Sequence, residues 1–184
     1  MAARRTSPLH LQGMTLIEQI MVLAIGAILS GLALPSLTGL LSRNRLQVAQ
    51  TDFMSALQNA RFTAAATGRR TLFCPSEDGH RCAASTRWQH GWLLGHDSDG
   101  DHQPDGTPSH TGGAYAGGIR ISSSAGRRDV RFRPDGSASG SNITLSFCQP
   151  GSTAPALVVV VSNSGRVRGA RADAAQTQAC MSTD

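Results

Sequence analysis

The sequence contains no lysine: all 17 of its basic side chains are arginine, set against 12 acidic residues. Arginine without lysine suits phosphate recognition, because the guanidinium fork grips phosphate with two hydrogen bonds. A genome-wide bias toward Arg and Ala codons would produce the same count, so position rather than number must carry any functional argument. Aromatic residues are scarce at 4%, which leaves an aliphatic, alanine-rich core. Signs of catalysis are also missing. No serine sits in a GxSxG context. The six histidines fall in loops or near the N-terminus (His10), without a nucleophile at fixed spacing. The expectation is a non-enzyme with no cofactor. There is no CxxC or HxxxH pair to suggest a metal centre. The four cysteines, Cys74, Cys82, Cys148 and Cys180, form an even set that fits two disulfides in an oxidising compartment. His80 and His90 lie near Cys74 and Cys82, so zinc stands as the rival reading.

What is present begins with an apolar run. Residues 1–13 are short and basic (Arg4, Arg5) and end in Gly13, and residues 14–34 follow as a nearly unbroken hydrophobic stretch. At ~1.5 Å rise per residue that stretch spans roughly 30 Å as a helix, the thickness of a bilayer core. It carries a single carboxylate, Glu18, which is expensive in hydrocarbon and needs a partner. A secretory signal cut near Gly31 and Ala33 would leave a soluble exported domain. The length of the run and the presence of Glu18 argue against that. The 184 residues allow one membrane segment plus one domain of roughly 100–150 residues.

Beyond Pro35, expected to kink the helix rather than end it, Leu46, Ala49, Phe53, Leu57, Ala60 and Ala64 recur at three- and four-residue steps. This predicts an amphipathic second helical half over 35–67, closed by Gly68. The remainder, 68–184, reads as strands and turns. Strands are expected at 70–74, 88–94, 117–122, 128–133, 142–148 and 156–161, with 166–171 completing a last hairpin through "SNSG". "PDG" (134–136) is expected to turn 128–133 into 142–148. Helix first and antiparallel sheet afterwards is an α+β arrangement.

The segment "GMTLIEQIMVLAI" resembles the class III leader junction of type IV pilins and type II secretion pseudopilins. The runs "LFCPSEDGHRC", "WQHGWLLGHDSDGD", "VRFRPDG", "LSFC" and "VVVVSNSGRVRGA" resemble the GspH/FimT family within that group. The resemblance implies a type IV pilin-like fold: a long N-terminal helix, membrane-spanning in its first half, packed on a C-terminal antiparallel sheet. Prepilin peptidase would cut after Gly13, and Met14, in place of the commoner Phe, would become the N-methylated first residue. Glu18 would then neutralise the new ammonium group of a neighbouring subunit and set the filament register. The implied disulfides are Cys74–Cys82 and Cys148–Cys180. The implied location is the inner membrane, single-pass, with the β domain in the periplasm, and the surface pilus after assembly. Other major and minor pilins are the implied partners.

Two segments remain as candidate sites. "DSDGDHQPD" (97–105) offers Asp97, Asp99, Asp101 and Asp105, but His102 stands where a helix–loop–helix calcium loop needs glycine and no Glu closes it. The reading is a solvated turn with no metal. "SGRVRGAR" (164–171) places Arg166 and Arg168 on one side of an extended strand, ~6.6–6.8 Å apart. Gly165 and Gly169 would leave the flanking backbone unencumbered, and Arg171 would add a third charge. No acid intervenes before Asp173. An arginine-protected hairpin edge is the plain alternative. The GRxR pattern of Gly165, Arg166 and Arg168 resembles the DNA-binding element of minor pilins used in natural transformation. Arg127, Arg128, Arg131 and Arg133 are weaker additions. No Trp or Tyr interleaves with these arginines, so binding should be to the DNA backbone and non-specific. The other functional expectation is a FimU-like structural or priming pilin, or a GspH-like pseudopilin, without DNA binding.

Overall fold

The computed structural model describes residues 13–182, without the side chains of residues 32–37 and 125. The expected leader therefore lies, apart from Gly13, outside the described residues. Helix α1 runs from Leu16 to Thr67, 52 residues, and continues through Pro35. The chain divides after Thr38 into two compact units.

In the first unit the helix is apolar on every side. Leu16, Ile17, Ile20, Met21, Leu23 and Ile28 are all exposed, the pattern of a helix made for an apolar environment rather than water. Among the described residues no helix is long and apolar enough to cross a membrane. The expected span 14–34 ends within the residues whose side chains are not described. Thr15 precedes the helix, and the Glu18 N–H donates to its carbonyl (3.1 Å) and its Oγ1 (3.4 Å). Thr15 thus caps the first turn of the helix, through the backbone N–H of Glu18 and not through its carboxylate.

In the second unit the apolar stripe of α1 is buried where the spacing put it: Leu46, Ala49, Phe53, Leu57, Ala60 and Ala64 are all at most 1% exposed. Gly68, with φ 65°, ends the helix in the left-handed region. Eight strands follow: β1 (Thr71–Pro75), β2 (Trp92–His96), β3 (His110–Gly112), β4 (Arg120–Ser123), β5 (Val130–Phe132), β6 (Ile143–Cys148), β7 (Leu157–Val161) and β8 (Val167–Arg171). They form two antiparallel four-stranded sheets, ordered β3-β2-β1-β5 and β4-β6-β7-β8. One core joins the helix stripe to the inner faces of both sheets. Phe53 lies at its centre, with ring centroids 5.2 Å from Phe147 and 5.7 Å from Phe73, both edge-on.

Several details differ from the sequence expectation. The stretch 88–91 is a turn, so the strand starts at Trp92. Gly91 has φ 127° and approaches the carbonyls of Ser76 and Gly112 too closely for any Cβ. Left-handed Gly117 and Gly118 delay β4 to Arg120. The 134–136 turn does not make a hairpin of its neighbours: β5 pairs with β1, and β6 with β4 and β7. Strand β3 was not anticipated. Nor was helix α2 (Ala174–Ser182), although "DAAQ" announces it. Asp173 Oδ1 accepts the Gln176 N–H at 2.7 Å and Gln176 Oε1 accepts the Asp173 N–H at 2.9 Å, a reciprocal cap. Disulfides join Cys74 to Cys82 and Cys148 to Cys180, the second tying α2 to β6.

Candidate nucleic-acid interface

Strand β8 is the edge of the second sheet. Its pairing with β7 sets Arg168 opposite Val160 and Val167 opposite Val161. Alternation then sorts the side chains. Val167 packs on the core, and Gly169 lies against Met54 and Gln50 of α1, a Cβ there falling 2.7 Å from Met54 Sδ. Gln50 Nε2 secures this approach by donating to the carbonyls of Val158 (2.8 Å) and Ala170 (3.0 Å). Arg168 points to the opposite face, and both it and Arg166 are exposed. Among the described residues neither takes part in an ion pair.

Arg171 belongs to the other face. It lines a cavity of about 240 Å³ with Arg43, Gln47, Gln50, Pro155 and Leu157. The two glycines are also not there to free the backbone. Gly169 makes room for α1, and Gly165 is buried in the turn between β7 and β8 with φ 76°. That turn is closed by the Gly165 N–H donating to Ser162 O at 2.8 Å and by the Arg166 N–H donating to Ser162 Oγ at 3.2 Å.

The same turn abuts the one at 134–136. The Ala138 N–H donates to Asn163 O at 2.9 Å, and Gly136 O fills the space a Cβ on Gly165 would need. Arg133 and Arg166 thus stand at the bases of two touching turns. Arg61 of α1 reaches into the junction: its Nε lies 3.2 Å from the Cβ position of Gly136 and 3.3 Å from that of Gly165. Arg61 escaped the sequence reading because it sits a hundred residues away on a helix whose exposed face looks like any solvated one. The 134–136 turn also carries an acid, Asp135, two residues after Arg133. The Ser137 side chain and N–H hold its carboxyl below the usual range, aided by Arg133.

The remaining arginines are on or near β5, the edge of the first sheet. Arg131 and Arg133 share its outer face and border a small cavity of about 70 Å³ with Arg70 and Ser139. Arg131 Nε is 3.7 Å from Asp129 Oδ1, and Arg131 Nη1 is 3.4 Å from His102 Nε2. Arg127 donates to Gly140 O at 2.7 Å. Arg128 is exposed beside the Cys74–Cys82 loop.

The family model described as "Type II transport protein GspH" matches residues 49–165, which include the stripe of α1 from Ala49 onward, seven of the strands and Gly165. The chain belongs to the GspH family. Among solved structures it is similar to the type IV minor pilin FimU of Pseudomonas aeruginosa. That match has a TM-score of 0.58 and 22% identity, over 68% of this chain and 88% of FimU. It is also similar to the minor pseudopilin EpsH from the Type 2 Secretion System of Vibrio cholerae, with a TM-score of 0.51 and 14% identity, over 69% of this chain and 97% of EpsH. No curated protein matches by sequence. The GspH-family chain therefore has the α+β, pilin-like fold, and its relatives are pilins and pseudopilins, structural subunits rather than enzymes.

Proposed function

We propose that this GspH-family chain is a minor pilin whose Arg166–Arg168 face binds the backbone of DNA during uptake. One observation carries the reading: Arg166, the last residue before β8, and Arg168, within it, are both exposed, with no ion pair among the described residues to occupy them, and two residues of extended chain advance ~6.6 Å. That spacing suits neighbouring phosphates of one strand. Arg61 and Arg133 border the same pair of turns and extend the positive surface. Without stacking aromatics beside them, contact is with phosphate, so binding is non-specific and falls with salt. The apolar helix from Leu16 supports anchorage in the inner membrane before assembly, with prepilin peptidase cutting after Gly13 and Glu18 pairing with the amine of Met14 on a neighbour.

Fluorescence polarisation of a labelled duplex with the full chain in detergent micelles tests this. With about three phosphate contacts the log–log salt slope is roughly −2 to −3. Replacing Arg166 and Arg168 by Ala should weaken binding and reduce the slope by about 2. Unchanged affinity in that variant, with pilus assembly impaired, would instead favour a purely structural or priming subunit. The exposed apolar half of α1 already supports a filament role for such a subunit.

A further inference from the structure

The loop between β2 and β3 gathers Asp97, Asp99 and Asp105, each offering one carboxylate oxygen within 4.8 Å of the others. Three oxygens spread evenly around one Ca²⁺ at 2.3–2.6 Å stand about 4.0–4.5 Å apart, so a small inward movement of the exposed Asp99 and Asp105 lets a single ion bridge all three. Acidic turns are common, and proximity alone proves nothing. Asp97 is different because it is fully buried. Its Oδ1 accepts the Gly100 N–H at 2.8 Å, while its Oδ2 is buried without any hydrogen-bond partner. A carboxylate oxygen left unpaired inside a protein is strongly unfavourable. A cation shared with Asp99 and Asp105 would satisfy it.

We propose that Asp97, Asp99 and Asp105 form a divalent-cation site of the calcium class, with Asp97 Oδ2 as its buried ligand. Asp99 and Asp105 are exposed, which leaves the outer side open to water ligands. His102, which the sequence set against a calcium loop, adopts φ 67°, the left-handed bend that glycine supplies at the sixth position. Two arginines lie close to the site, and Arg70 Nη1 is 3.1 Å from the Cβ position of Gly100. Arg69 Nη2 lies 3.4 Å from Asp105 Oδ2, which also accepts the Ser98 N–H at 2.8 Å. An entering cation displaces Arg69 from that oxygen.

The full chain in detergent micelles, stripped with EDTA, is titrated with CaCl₂ by calorimetry and melted with and without Ca²⁺. The expected Kd is roughly 0.1–1 mM, the range of extracellular calcium modules, with a rise in Tm that MgCl₂ at equal concentration does not reproduce. Asp97→Asn should abolish the rise and increase the Tm of the stripped protein. Asp99→Asn, at an exposed position that keeps the fold, should weaken Ca²⁺ binding at least about tenfold through the lost ligand charge. Arg69→Gln should tighten it. The site is overturned if Ca²⁺ gives neither heat nor a Tm shift up to about 10 mM, well above the Kd range expected here. It is equally overturned if Mg²⁺ acts as strongly, or if Asp99→Asn responds like the parent chain.

Discussion

The carbonyl oxygen of Gly136 lies 1.9 Å from the point where Gly165 would carry a Cβ. Two turns from different sheets therefore touch backbone to backbone, and the arginine strand is positioned by that contact. Gly165→Ala meets both the carbonyl and an unfavourable φ of 76°. The expected loss is about 2–4 kcal/mol of stability. Urea unfolding of the full chain, followed by the fluorescence of buried Trp88 and Trp92, measures it. An unaffected midpoint would mean that the two turns can separate freely.

Arg61 and Arg171 should behave in opposite ways. Arg61 borders the same junction as Arg166, so Arg61→Ala should lower DNA affinity and reduce the salt slope by about 1. Arg171 faces the cavity beside Arg43, away from Arg168. Arg171→Ala should leave both quantities unchanged in the polarisation titration. The reverse result would move the DNA face to the helix side of β8.

The loop after β1 should set part of the acid limit of stability. Asp78 accepts the N–H groups of Arg81 (3.0 Å) and His80 (2.8 Å) and pairs with Ser76. These bonds lower its pKa from 3.8 to about 2, the Arg81 N–H contributing most. A carboxyl depressed on folding contributes stability that is full above pH 3.8 and lost as the pH falls toward 2. Asp78→Asn should flatten the change in Tm across that window and leave other regions of the profile alone. Equal acid slopes in the two proteins would show that the loop opens before Asp78 titrates.

Helix α2 should depend on its bridge. Cys148–Cys180 closes a loop with a sequence separation of 32 residues, which constrains the unfolded chain by about 3–4 kcal/mol. In a Cys148→Ser, Cys180→Ser variant, hydrogen exchange should accelerate across 174–182, while the amides of Phe53 and Leu57 stay protected. Uniform acceleration would place α2 in the same folding unit as the core.

The Thr15 cap and the proposed filament role of Glu18 can be tested apart. The Thr15 cap predicts that Thr15→Ala loosens the first turn, at about 0.5–2 kcal/mol of helix stability. The filament role predicts that Glu18→Gln stops incorporation into filaments even though the helix forms. Circular dichroism and a filament assay on both variants distinguish the two. Full incorporation of Glu18→Gln would remove the filament role.

The helix stripe and the last hairpin were legible because each is a local rhythm. Leu46 to Ala64 repeats with the helical period, and "VVVV", "SNSG" and "RVRGAR" spell strand, turn and strand. "DAAQ" is a local signal of the same kind, through the Asp173–Gln176 capping pair. Strand pairing across the 134–136 turn was not legible. Phe132 and Ile143 look like the ends of one hairpin, but β5 fills the edge beside β1, where Val130 and Phe132 reach the core.

The sequence alone determined the long helix, seven of the eight strands and the apolar first half of α1, because side-chain periodicity and turn residues act over a few neighbours. Tertiary structure alone decided which distant groups meet. It brought Arg61 to the Gly136–Gly165 junction, set Arg171 beside Arg43 of α1, and sealed Asp97 Oδ2 inside without a partner. The physical reason is that burial and backbone contact depend on packing between segments far apart in the chain, and no short window of sequence records that packing.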